Sequence, residues 1–200
     1  LHAAYVSIYP LFLAMSPSVG GLGLLPSQIG LIFAARGIFG SVAQALLIGP
    51  AVRKFSLRSV FTTAVMALIP TFLFFPLMNL FANDSAVDGP ASRGIMWALL
   101  TLQFVFITTA EAGYTCMYMY IIAAAPNKHT WGAVNGLAQI SYIGARLTGS
   151  VFATFMLGVS IERGWMGGYA VYVLMCIFTY GMVVLARKLP RDVSEWPGRD

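Results

Sequence analysis

Three ionisable side chains stand in long stretches of this sequence that otherwise carry no charge: Arg36, Glu111 and Arg146. A carboxylate so placed can bind and release a proton. An arginine can only hold its charge, because a guanidinium stays protonated at any accessible pH. The chemistry on offer is proton exchange at Glu111 and recognition of anions or of Glu111 itself by the arginines. An ion in hydrocarbon costs ~2.5–3.5 kcal/mol even on the lenient insertion scale, so each of the three needs a partner, a wet cavity or both. Glu111 and Arg146 could form a structural pair locking two consecutive helices. Arg36 has no second carboxylate and needs carbonyls, water, the same Glu111 or an anionic ligand.

Helical periodicity gives these charges company. At about 100° per residue, Asn135, Gln139, Tyr142 and Arg146 fall within a stripe about 60° wide. Gln103 lies within about 80° of Glu111 on its helix, with Tyr114, Thr115 and Tyr118 further on. Arg36 shares a face with Gly40 and Gln44. The expected substrate and proton pathway is therefore Glu111, Arg36, Arg146, Gln103, Asn135, Gln139, Tyr142 and Gln44. Singly, Asn135 and Gln139 would be interhelical hydrogen-bond glue, and Gly30, Gly37, Gly40, Gly136, Gly144 and Gly149 read as packing surfaces. No catalytic residue, metal site or cofactor is expected. The chain has no H-E-x-x-H and no G-x-S-x-G, and its histidines are His2, at the start, and His129, in a loop. A membrane protease or desaturase needs ligands or a base that are missing here. The glycines of Gly20 to Gly23 follow no strand and make no dinucleotide fingerprint.

The elements that must position these residues are membrane spans. The 200 residues are 58% hydrophobic and only 10% charged, with a mean hydropathy of +0.79. Soluble chains carry roughly 25% charged residues. No Asp, Glu, Lys or Arg occurs from Leu1 to Ala35, from Ser59 to Asn83 or from Gly164 to Ala186, and about 20 apolar residues cross a bilayer as a helix. Breaking the chain at polar and Gly/Pro clusters predicts six spans: His2–Ala14, Ser27–Val52 with Ser27 as N-cap, Ser59–Leu80, Gly94–Ala124, Trp131–Val159 and Gly168–Ala186. Pro70 and Pro76 fall inside the third. The second, fourth and fifth carry the polar stripes and should surround a cavity; the third and sixth read as lipid-facing supports. Cys116 and Cys176 fall within spans and are not expected to pair. The apolar opening lacks the charged n-region of a signal peptide and reads as the remainder of a truncated span.

Six alternating spans sort the loop charges. Arg53, Lys54, Arg58, Lys128, Arg187, Lys188, Arg191 and Arg199 fall on one side; Arg93, Arg163, Asp84, Asp88 and Glu162 fall on the other. The excess of cations marks the first side, with the C-terminal tail, as cytoplasmic. The net charge of +5 is thus topogenic rather than a nucleic-acid patch.

In its order of features the chain resembles the second half of major facilitator superfamily transporters, especially the drug-proton-antiporter-like and zinc-induced-facilitator-like members of fungi and plants. Leu25-Pro26-Ser27-Gln28-Ile29-Gly30, with Gly37 and Gln44, is similar to the family's eighth helix. Gly49, Lys54 and Arg58 match its G-x-x-x-D-[RK]-x-G-R-[RK] loop, where Arg53 replaces the acidic residue and Ser56 the second glycine. Gly132-Ala133-Val134-Asn135-Gly136-Leu137-Ala138-Gln139 resembles the start of its eleventh helix. The resemblance implies an all-α polytopic membrane protein, six transmembrane helices forming one bundle of a major facilitator fold (helices seven to twelve). Residues 1–188 would be the bundle and residues 189–200 a cytoplasmic tail. The first and fourth spans would line a cavity, the second and fifth the interface with a missing N-terminal six-helix half, and the third and sixth would face lipid.

The expected function is secondary active transport of a small solute by alternating access, with protons as coupling ion. Its partners would be the lipid bilayer, a small-molecule substrate and the N-terminal half, with no nucleic acid. The competing reading is a non-transporting six-helix membrane protein, either a channel-like pore or a regulatory half-transporter relic. Six further spans encoded upstream would favour the transporter. An enzyme ranks third for want of catalytic groups.

Overall fold

Proline, glycine and charge divide a nearly all-helical chain. The computed structural model describes residues 1–83, 90–123 and 130–189, without the side chains of 83 and 90–93. The helices are α1 (His2–Ala14), α2 (Pro26–Lys54), α3 (Leu57–Met66), α4 (Leu68–Asn83), α5 (Pro90–Ala123), α6 (Trp131–Glu162) and α7 (Ala170–Ala186), with short 3-10 turns at Pro17–Val19 and Trp165–Gly168. No strand occurs among the described residues. The loop charges Asp84, Asp88, Arg93, Lys128, Arg191 and Arg199 lie outside the described side chains. The chain is an all-α polytopic membrane protein. Four helical stretches are long and apolar enough to cross a bilayer: α2, α3 with α4 (Leu57–Ala82), α5 and α6. The apolar α1 and α7 are shorter, at 13 and 17 residues.

The predicted boundaries hold to within a few residues, with two local differences. Ser27 does not cap α2. The helix begins at Pro26, whose missing N–H and fixed φ suit a first helical position, and the Leu25 N–H donates to the Gln28 carboxamide at 3.0 Å. The third span is broken at Ala67. Pro70 cannot donate to the Met66 carbonyl and its ring crowds that group, so the helix restarts at Leu68. Below the break, Ser56 caps α3 by accepting from the Ser59 N–H at 3.4 Å.

Two sets of contacts define the ends of the bundle. At one end, Asn79 of α4 donates to the Gly21 carbonyl at 2.7 Å and the Pro17 carbonyl at 3.0 Å, and accepts from the Tyr169 hydroxyl at 2.5 Å. One buried carboxamide thereby joins the α1–α2 loop, α4 and the entrance to α7. That loop folds back on α1: the Leu22 and Leu24 N–H groups donate to the carbonyls of Phe12 and Leu13 at 3.0 and 2.9 Å. Gly21 cannot be replaced without movement, because a Cβ there would lie 2.1 Å from the Met15 carbonyl oxygen. At the other end, Arg58 donates to the Leu189 carbonyl at 3.4 Å, bringing the α2–α3 turn beside the exit of α7. Arg53, Lys54, Arg58, Arg187 and Lys188 belong to this end.

The core is aromatic and centred on α1 and α4. Tyr5 stacks on Tyr9 with centroids 5.0 Å apart, Phe12 meets Phe75 edge to face at 4.8 Å, and Phe75 stacks on Tyr172 at 4.9 Å. The broken third span packs against both α5 and α7. Its sequence-based role as a mere lipid-facing support is therefore corrected: Phe72, Phe75 and Met78 are fully buried, while Leu73, Leu77 and Leu80 face outward. A uniformly apolar helix has no polar stripe to show which face turns inward. By contrast α2 and α6 are the least buried long helices, with 11% and 17% of their apolar windows inside the bundle.

Candidate functional site

Glu111, near the middle of α5, is the only carboxylate among the described residues that lies in the interior of a span, Glu162 being the last residue of α6. Arg36 of α2 donates to its Oε1 at 2.5 Å, Gln44 one helical face further along α2 donates to its Oε2 at 3.3 Å, and His2 Nε2 of α1 lies 3.5 Å from Oε1. Side chains of two helices, α1 and α2, thus converge on one carboxylate of α5. The pair is largely withdrawn from solvent, the side chains of Arg36 and Glu111 being 13% and 21% exposed. The Arg36 guanidinium also lies over the Tyr5 ring, 5.3 Å from its centroid, a cation–π arrangement strengthened by desolvation. Gly40 packs beside the pair, where a Cβ would sit 3.6 Å from Glu111 Oε2, in ordinary van der Waals contact. A cavity of about 480 Å³ opens beside the ion pair, lined by Phe33, Arg36, Gly37, Gly40, Ser41, Gln44 and Glu111.

A second basin is lined in part by His2 and Tyr114. These two rings meet edge to face at 5.0 Å, and Tyr114 meets Tyr142 of α6 edge to face at 5.9 Å. The basin, about 370 Å³, includes Arg146, Tyr142, Tyr114, His2 and Phe61. Arg146 makes no hydrogen bond or ion pair with a described residue; the pairing open to Glu111 is taken by Arg36.

The other candidates are distributed around these basins. Gln139 donates to the Tyr118 hydroxyl at 2.9 Å and joins α6 to α5 near Tyr142. Asn135 is exposed, with no described contact, one turn beyond. Gln103 is fully buried, donating to the Thr71 carbonyl at 3.0 Å; eight residues from Glu111 it stands about 12 Å away along the axis and ties α5 to α4. The structure therefore brings Glu111, Arg36 and Gln44 together, gathers Arg146, Tyr142 and Gln139 nearby, and leaves Gln103 and Asn135 apart.

Sequence reasoning missed His2, Tyr5 and Tyr9. Both tyrosines are fully buried and neither hydroxyl finds a well-placed hydrogen-bond partner. The signal was available: positions 2, 5 and 9 recur at helical spacing on one face, a polar-tipped stripe on an apolar helix.

Comparison with known proteins agrees with a membrane-embedded, charge-poor helical bundle. The chain is 20% identical over 196 residues to the major facilitator-type transporter psiT2 of Psilocybe cubensis, covering 96% of this chain and 37% of that protein. It is 21% identical over 199 residues to the efflux pump azaK of Aspergillus niger, covering 98% of this chain and 41% of the pump. The chain resembles fungal major facilitator transporters along nearly its whole length. A third relative, the major facilitator superfamily multidrug transporter mfsB of Aspergillus fumigatus, is 25% identical over 147 residues, 73% of this chain and 23% of that protein. The chain spans about two fifths of the length of the first two relatives. No family model matches it, and no solved structure does. These relatives are named as transporters or pumps, not as enzymes, and their names agree with the resemblance carried by the motifs around Gly30, Arg58 and Asn135.

Proposed function

We propose that this chain is one half of a secondary transporter that moves a small solute by alternating access, with Glu111 as its proton-coupling group. The observation that carries the reading is the convergence of Arg36, Gln44 and His2 on the one described carboxylate in the interior of a span, beside an open cavity. A proton and the Arg36 guanidinium compete for the same carboxylate. Protonation removes the ion pair and with it a main polar tie between α5 and the sparsely packed α2. A solute-driven movement of α2 would, by the same linkage, change the affinity for the proton.

The exposed faces of α2 and α6 support a companion bundle. Leu31, Ile38, Leu46, Leu137, Ile140 and Leu147 are each more than 60% exposed. Gly30, Gly37, Gly136, Gly144 and Gly149 have open space where a side chain would be, as small residues do where a further helix packs closely. The end bearing Arg53, Lys54, Arg58, Arg187 and Lys188 is assigned to the cytoplasm by its cations. The relatives named as an efflux pump and a multidrug transporter favour export of small molecules.

The test is accumulation in proteoliposomes containing the full-length protein. A pH gradient should drive solute uphill, and a protonophore should abolish the accumulation. Accumulation indifferent to the protonophore would sink proton coupling.

A further inference from the structure

Among the described residues, Arg146 is the charge within the spans that has neither an ion pair nor a hydrogen bond, because Arg36 and Gln44 occupy both oxygens of Glu111. The next described carboxylate on its helix, Glu162, lies sixteen residues on, about 24 Å along the axis. Its side chain is exposed on α6, so its guanidinium donors are open to an anion of matching shape.

Resting on the transporter reading above, we propose that Arg146 is the recognition charge of a solute subsite, and that this subsite takes an aromatic monoanion: a carboxylate or sulfonate carried on a flat ring system. The charge follows from the single free guanidinium, whose planar fork of N–H donors matches such groups bidentately. Exclusion of cations follows from the same observation, since the nearby carboxylate is already engaged. The ring follows from the walls. Phe61, Tyr114, Met117, Tyr142 and Met182 line the basin around Arg146. The perpendicular pairs His2–Tyr114 and Tyr114–Tyr142, with centroids 5.0 and 5.9 Å apart, offer both faces and edges to an incoming aromatic ring. At about 370 Å³ the basin is in the size range of small-molecule pockets. His2 lines this basin and lies 3.5 Å from Glu111 Oε1, so an occupant would touch a ring that contacts the proton site.

The experiment is equilibrium binding to the purified full-length protein in detergent, using three fluorescent probes of one shape: naphthoate, its neutral amide naphthamide, and the cation naphthylmethylammonium. The wild type should bind naphthoate at least tenfold more tightly than the other two. Arg146→Gln should erase that preference while leaving naphthamide affinity within twofold, and Arg146→Lys should keep part of it. Absence of a naphthoate preference in the wild type overturns the proposal. So does a preference that survives in Arg146→Gln, or an equal loss of all three probes, which would make Arg146 a structural residue paired with another part of the protein. Binding without a gradient is independent of transport: naphthoate selectivity in a protein that accumulates nothing would overturn the transporter reading and leave the subsite standing.

Discussion

Glu111 has two oxygens and three suitors, and the arrangement around it decides what each can do. Arg36 takes the short bond, Gln44 the second oxygen, and His2 a longer approach. That Glu111 and the two arginines lie in a membrane was legible from the charge-free runs around them. Which arginine pairs with Glu111 was not, because periodicity gives the face of a helix and not the helix that packs against it. Arg36 stands 75 residues from Glu111 and Arg146 only 35, so sequence proximity pointed the other way. Asn79 was invisible for a different reason: it is a lone polar residue in an apolar run, and its partners are backbone carbonyls of a distant loop. Replacing it with Leu keeps the size and strips hydrogen bonds from Pro17, Gly21 and Tyr169. Thermal melts in detergent should show Asn79→Leu destabilised by about 3 kcal/mol and Tyr169→Phe by about 1 kcal/mol. Equal stability of Asn79→Leu and wild type would remove the three-way tie from the account.

Helix boundaries followed from composition, and helix neighbours did not. A helix was expected over His2–Ala14 and is found there, 13 residues long; the fifth span was expected to begin at Trp131 and its helix does. The central position of the third span was not foreseen, since its apolar residues fit a lipid-facing helix and a core helix equally well. Pro70 gave the one clue to its break. Glycines separate packed from unpacked helix faces. A Cβ on Gly113 of α5 would meet the Ala64 Cβ of α3 at 3.3 Å, whereas one on Gly136 of α6 meets nothing within 4 Å. Gly113→Val should therefore force α3 and α5 apart and cost about 1–3 kcal/mol. Gly136→Val should leave the fold of this chain intact and reduce activity only where α6 meets a companion bundle. Parallel melts and transport assays of the two variants distinguish these outcomes, and a destabilised Gly136→Val would show that the α6 face is already packed within this half.

At the scale of the molecule, the described helices have two chemically distinct ends. The Arg58–Leu189 contact and the Asn79 tie mark opposite ends, and the positive-inside rule then assigns the sides. In a background lacking Cys116 and Cys176, which are free thiols, a cysteine at Ser18 should react with an impermeant maleimide from the outside and one at Lys188 only after permeabilisation. The reverse pattern would invert the topology. In the proposed cycle protons enter at Glu111. Its most direct test is Glu111→Gln in the full-length protein, reconstituted with and without an imposed pH gradient. The glutamine keeps the shape and holds no exchangeable charge. Gradient-driven accumulation should be lost while solute exchange at equal pH persists at a substantial fraction of the wild-type rate. Continued pH-dependent accumulation by Glu111→Gln would contradict that cycle and leave the Arg36–Glu111 pair a structural link between α2 and α5.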